Sequence, residues 1–197
     1  MSPVRLAAFV AMGLLAHALS VSAAETSLTM SSQPGDYVGG GQQYFFDGNS
    51  AVFTPSVLGD GNGAQLFVNE GNFQSWWYLN FAAPGGALLA PGTYVGATRY
   101  LGFGQTTPGI DVFGNGRGCN QQAGAFQVKQ LTIEQGVITR LWVRFEQHCE
   151  GGVPALTGDL RFNADVSLLV VSPFEKKIAI GQNVTFDVTA SGAPTSR

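Results

Sequence analysis

The chain has 197 residues, of which 45% are hydrophobic and only 12% charged, and its 10 basic and 13 acidic side chains leave a formal charge of −3. An average domain carries about a quarter charged residues, so this composition excludes a disordered charged tail and predicts a compact, well-buried domain. No cluster of Lys and Arg is present to neutralise phosphates or anionic lipid, which argues against a nucleic-acid partner.

In chain order, residues 1–24 read as a secretory signal peptide. Arg5 supplies a positive start, residues 6–16 form an apolar run, and Val21-Ser22-Ala23-Ala24 offers small residues for cleavage near Ala24. The run falls short of the roughly twenty apolar residues that cross a bilayer, so no membrane span is expected. A secreted product is expected, extracellular or periplasmic, beginning at Glu25. Loss of the leader removes His17 and leaves His148 as the only histidine, which rules out multi-histidine zinc sites and paired-histidine relays.

Residues 25–170 are expected to form one β domain. Breaks at Pro34-Gly35-Asp36, Gly39-Gly40-Gly41, Pro84-Gly85-Gly86 and Pro91-Gly92 separate short runs rich in Val, Ile, Thr and aromatic residues. The hydrophobic period is two, with no helical stripe after the leader. Predicted strands cover 43–46, 51–54, 65–69, 73–82, 92–99, 125–133, 137–149, 156–163 and 166–171. About nine strands point to an all-β fold, an antiparallel β-sandwich or a flattened barrel. Gly59-Asp60-Gly61-Asn62-Gly63 lacks the acidic spacing of a calcium loop and reads as a hairpin turn.

In the run 73–82, Phe73, Ser75, Trp77, Leu79 and Phe81 share one face while Gln74, Trp76, Tyr78 and Asn80 share the other. The second set mixes rings with amides. It could stack on the C–H face of a sugar ring and hydrogen-bond its hydroxyls, which makes these four residues candidates for ligand binding. The same set is also what a strand covered on both sides would carry. Gly114-Asn115-Gly116-Arg117-Gly118 has no helix after it to cradle a phosphate and reads as a tight loop leading to Cys119.

The run 137–149 alternates most clearly. Leu141, Val143, Phe145, Gln147 and Cys149 are assigned to the core, where Gln147 needs a buried hydrogen-bond partner. Arg140, Trp142, Arg144, Glu146, His148 and Glu150 fall on the outer side, where Trp142 can stack on either arginine and is a further ligand candidate. Glu146, His148 and Glu150 are candidates for a divalent metal, or for acid and base work on a glycosidic bond. Two residues four apart on an extended strand lie about 13 Å apart, too far for a retaining pair unless the strand bends. A solvated ladder of charges is the plain alternative. Cys119 and Cys149, an even pair in an exported chain, are expected to form a disulfide that stabilises by roughly 3.5 kcal/mol.

From residue 171 the texture changes. Pro173 and Lys176-Lys177 precede Val184, Phe186 and Val188, which alternate with Thr185, Asp187 and Thr189. Residues 171–197 are read as a linker with partial strands, and Asn183-Val184-Thr185 matches an N-glycosylation acceptor.

Several pieces together look like a module of exported bacterial proteins that often precedes immunoglobulin-like repeats. They are Gln33 to Gly41, Trp77 to Pro84, Gly116-Arg117-Gly118-Cys119-Asn120, and Phe145-Glu146-Gln147-His148-Cys149-Glu150-Gly151-Gly152 with Pro154-Ala155-Leu156 and Gly158. The resemblance covers about residues 31–166; it implies export and β architecture and carries over no site residue. Residues 178–192 resemble the opening two strands of a bacterial immunoglobulin-like domain, which implies an incomplete Ig-like segment at the C-terminal end.

Three functions follow, in this order. A secreted non-catalytic binding or adhesion module for polysaccharide or a cell-surface glycan comes first, then a structural surface or matrix component without a ligand. Last comes an extracellular hydrolase built on Glu146, His148 and Glu150. No cofactor is implied.

Overall fold

The computed structural model describes residues 22–167, 170–172 and 187–189. Ten strands share one sheet: β1 (Ser22–Ser32), β2 (Gln43–Asp47), β3 (Ala51–Leu58), β4 (Gly63–Glu70), β5 (Ser75–Ala82), β6 (Gly92–Arg99), β7 (Gly109–Gly114), β8 (Gln122–Glu134), β9 (Val137–Cys149) and β10 (Ala155–Ser167). Their order is β2-β1-β10-β9-β8-β6-β7-β5-β4-β3. β2 and β3 are therefore the two edges, yet only Gly48-Asn49-Ser50 separates them in the chain. So short a link spans no more than about 13 Å, so the sheet must curl until its edges nearly meet. The result is an all-β fold nearly closed into a barrel, with β3 also lying against β9.

Two expectations change. The fold was expected to be antiparallel throughout, but β6 and β7 run parallel where Thr98 and Arg99 face Gly109 and Ile110. Residues 100–108 return the chain only to the end of β6, so that β7 starts beside its last two residues and the parallel pairing is confined to that overlap. A sandwich of about nine strands was the other form considered; one curled sheet of ten takes its place. The unforeseen strands are β1 and β7. β1 begins beside the apolar leader and offers only Leu28 and Met30 to the core, while β7 is short, glycine-bounded and interrupted by Asp111.

The core matches the period-two reading. Leu141, Val143 and Phe145 of β9 face inward onto Trp77, Leu79 and Phe81 of β5 and their neighbours, all in one buried cluster. The β8–β9 hairpin turns on Gln135 and Gly136, both at positive φ (51° and 78°), the two-residue form whose twist matches that of the strands it joins. Glycine meets that requirement at no steric cost. Cys119 and Cys149 are bonded, with Cα atoms 5.5 Å apart, as expected. The 59–63 segment is the β3–β4 hairpin turn, where the Asn62 amide ties down the carbonyls of Ala83 and Ala87 at 2.8 Å.

Ala23–Val166 form one compact unit. By itself, the second described piece is a small antiparallel pair, β11 (Val170–Ser172) with β12 (Asp187–Thr189), in which Val171 faces Val188. Most of the expected leader (residues 1–21), the Asn183-Val184-Thr185 acceptor, and Val184 and Phe186 lie outside the described residues. No helix among the described residues is long and apolar enough to cross a membrane.

Candidate functional site

The alternation of β5 sorts its two tryptophans. Trp77 is fully buried, whereas Trp76 and Tyr78 are only half-buried on the opposite face. Tyr78 is the middle of a cross-strand rung, facing Phe67 of β4 on one side and Phe113 of β7 on the other. The ring centroids are 4.5 and 5.2 Å apart. Trp76 meets Tyr78 edge-on, at 6.1 Å and 74°. Asn115 clasps the Trp76 backbone: its side-chain oxygen accepts from the Trp76 N–H (2.8 Å) and its own N–H donates to the Trp76 carbonyl (3.1 Å).

Phe73 departs from expectation. It was placed on the same face as Trp77, but β5 begins only at Ser75, and Asn72 and Phe73 adopt positive φ (54° and 63°). That turn swings the ring to the outer side, where it is 66% exposed and lies 6.2 Å from Phe67. Gln74 belongs to the same turn, its N–H donating to the carbonyls of Glu70 and Gly71, so it is exposed beside the strand and not on its face.

The next rung is polar. Asn80 accepts from the Gln65 amide at 2.8 Å and faces Asp111. The Asp111 carboxylate takes a 2.6 Å hydrogen bond from Gln122 and pairs with Arg99 at 3.6 Å. Burial pushes the Asp111 carboxyl above its ordinary value, against the opposing pull of Gln122 and Arg99. Asn80 is only 6% exposed, so it fixes the floor of the face more than it meets a ligand.

Trp142 does not join this face. It lies on β9, with β8, β6 and β7 between it and β5. Three cations already stack on its ring: Arg161 at 4.7 Å, Lys129 at 5.1 Å and Arg144 at 5.9 Å. A bulge between Val128 and Gln130 puts Lys129 there. The indole N–H donates to Asp159 at 3.1 Å, and Asp159 also binds Arg144 and Arg161. Arg140, the other expected partner, pairs with Asp165.

Glu146, His148 and Glu150 do not converge. Glu146 meets the His148 Nε2 at 3.1 Å, and the His148 Nδ1 lies 2.9 Å from the Val153 carbonyl oxygen. Glu150 sits past the end of β9 at φ 52°, and its carboxylate accepts from the N–H groups of Asn120 (2.5 Å) and Gln121 (3.2 Å). The strand ends at Cys149, so the alternation that would have aligned Glu150 with the other two ends there as well. Among the described residues, no group of three or more His, Cys, Asp and Glu side chains is placed to hold a metal ion.

Phe67 and Phe113 were not recognised from the sequence as parts of the aromatic face. Phe67 could have been found from the alternation of Gln65, Phe67 and Asn69 in a strand that was recognised; Phe113 could not, because β7 was missed. No protein-family model, curated protein or solved structure matches the chain.

Proposed function

We propose that this chain is an exported, non-catalytic binding module that recognises glycans on the β4–β5–β7 face. The observation that carries this reading is Trp76. It is a half-buried indole held in place through its backbone by Asn115, and its N–H has no partner among the described residues. An internal tryptophan ordinarily finds a partner for that N–H, whereas one that binds sugar keeps both the ring and the donor available. Phe73 widens the apolar surface beside it, and the disulfide suits an oxidising compartment. The hydrolase reading loses its footing because Glu150 is committed to the amides of residues 120 and 121.

A structural role without a ligand is the second reading. It draws on the face-to-face packing of Tyr78 with Phe113, which spends ring surface on internal contact. Trp76→Ala separates the two. On the glycan reading, retention on insoluble polysaccharide falls at least tenfold while the melting temperature moves by less than about 4 °C, equivalent to roughly 1 kcal/mol in a domain of this size. Unchanged retention together with a larger thermal loss would assign Trp76 to packing.

A further inference from the structure

A cavity of about 420 Å³ opens beside the disulfide. Its walls come from three stretches far apart in sequence, residues 35–37, 118–120 and 149–154. Several bonds fix them to one another. The disulfide joins Cys119 to Cys149, and Glu150 both receives the amides of Asn120 and Gln121 and donates its own N–H to the Gln121 carbonyl at 2.9 Å. Gln33 pairs with Ala155 through both its backbone N–H and its side-chain oxygen, each bond 2.9 Å long.

The walls are kept thin. Gly35 has a φ of 94°, and a Cβ there would stand 3.2 Å from the Pro154 Cγ, so any side chain would press into the wall. Glu150 is held in a left-handed conformation that costs a non-glycine residue about 1 kcal/mol or more. Its bonds across to residues 120 and 121 offset that cost. The cavity is thus preorganised before any ligand arrives.

Its chemistry is mixed but without positive charge. Tyr37, 58% exposed, and Pro154 supply apolar surface; the Asn120 amide and the second oxygen of Glu150 supply polar contacts. Asp36 contributes little more, because its carboxylate already accepts from Ser32 (2.7 Å), Gly39 (2.8 Å) and Val38 (3.3 Å). Among the described residues no Lys or Arg lines the cavity, which disfavours a phosphate or a uronate. Its volume lies within the roughly 300–1,000 Å³ of small-ligand sites. An aromatic lip, an amide and a carboxylate oxygen in a concave, uncharged-to-acidic setting suit a ring bearing hydroxyl groups.

We infer that this cavity is a second subsite, which takes one neutral pyranose unit of the glycan bound by the aromatic face. The inference rests on the glycan reading given above. The ring packs on Tyr37 and Pro154, while its hydroxyls donate to Glu150 and exchange hydrogen bonds with Asn120.

Titration of the isotope-labelled full chain with the methyl glycosides of glucose, galactose, mannose and N-acetylglucosamine, followed by amide NMR shifts, tests it. At least one glycoside should move amides within 35–37, 118–121 and 149–153. Tyr37→Ala and Asn120→Ala should each weaken its Kd at least tenfold, with the melting temperature unchanged. Shifts confined to 73–80 and 113 would leave the aromatic face standing and overturn the subsite. Shifts at the cavity alongside unchanged polysaccharide retention in Trp76→Ala would overturn the aromatic face instead. Silence toward all four glycosides, or a response at these amides to methylammonium alone, also overturns the subsite.

Discussion

Gln147 shows how a single side chain can stand in for a strand. It is 1% exposed on the core side of β9, where a polar side chain without a partner would be costly. Its amide accepts from the Val112 N–H and donates to the Val112 carbonyl, both at 2.8 Å, as a neighbouring backbone would. β7 needs this because its register with β6 is confined to Gly109 and Ile110. Gln147→Leu strands both Val112 groups in the core. It should cost about 2–4 kcal/mol, measured as a lowered urea midpoint at constant m-value, since each unsatisfied buried group costs roughly 1–3 kcal/mol. A loss below about 0.5 kcal/mol would show that water replaces the amide. That Gln147 required a buried partner was legible from its place in an apolar row. That the partner is Val112 was not, because β7 was not recognised and the contact joins residues 35 apart in sequence.

Elements were legible wherever alternation was long and uninterrupted. β6 and β9 have the bounds expected of them, and the two-row division of β9 holds from Leu141 to Gln147. It fails one residue past the end of the strand, at Glu150, which is why the supposed row of three dissolves. Phe73 fails for the same reason at the start of β5. In both cases the period-two rule was carried into a turn, where a positive φ reverses the direction of the side chain. The disulfide spans the β8–β9 hairpin, tying the approach to β8 to the last residue of β9. Cys119→Ser with Cys149→Ser should lower stability by about 3.5 kcal/mol through the freed unfolded chain. Far-UV circular dichroism should keep its β form, since the hairpin register is set independently by the Gln135-Gly136 turn. A collapse of the β signal below the melting transition would show instead that the bridge sets the register.

At the scale of the molecule, the described core belongs to Ala23–Val166. A chain cut to residues 23–167 should therefore unfold in one cooperative step, within about 4 °C of the full chain, roughly the span of 1 kcal/mol at this size. Loss of the cooperative transition would mean that later residues complete the barrel. Closure itself is a global property. The three-residue link between β2 and β3 is visible in the sequence, but it implies a curled sheet only once β2 and β3 are known to be opposite edges.

The amino-acid sequence alone determined the all-β class, the disulfide pair, the division of β5 into two faces, the inner and outer faces of β9, and the need of Gln147 for a partner. Each of these follows from local chemistry, namely side-chain alternation along a strand and the pairing of two cysteines. Tertiary structure alone decided which strands are neighbours. It thereby brought Phe67 and Phe113 beside Tyr78, kept Trp142 apart under its cations, turned Glu150 toward residues 120 and 121, and gathered three distant glycine-containing stretches around one cavity. Those outcomes depend on contacts between residues remote in the chain, which no period or spacing along the sequence encodes.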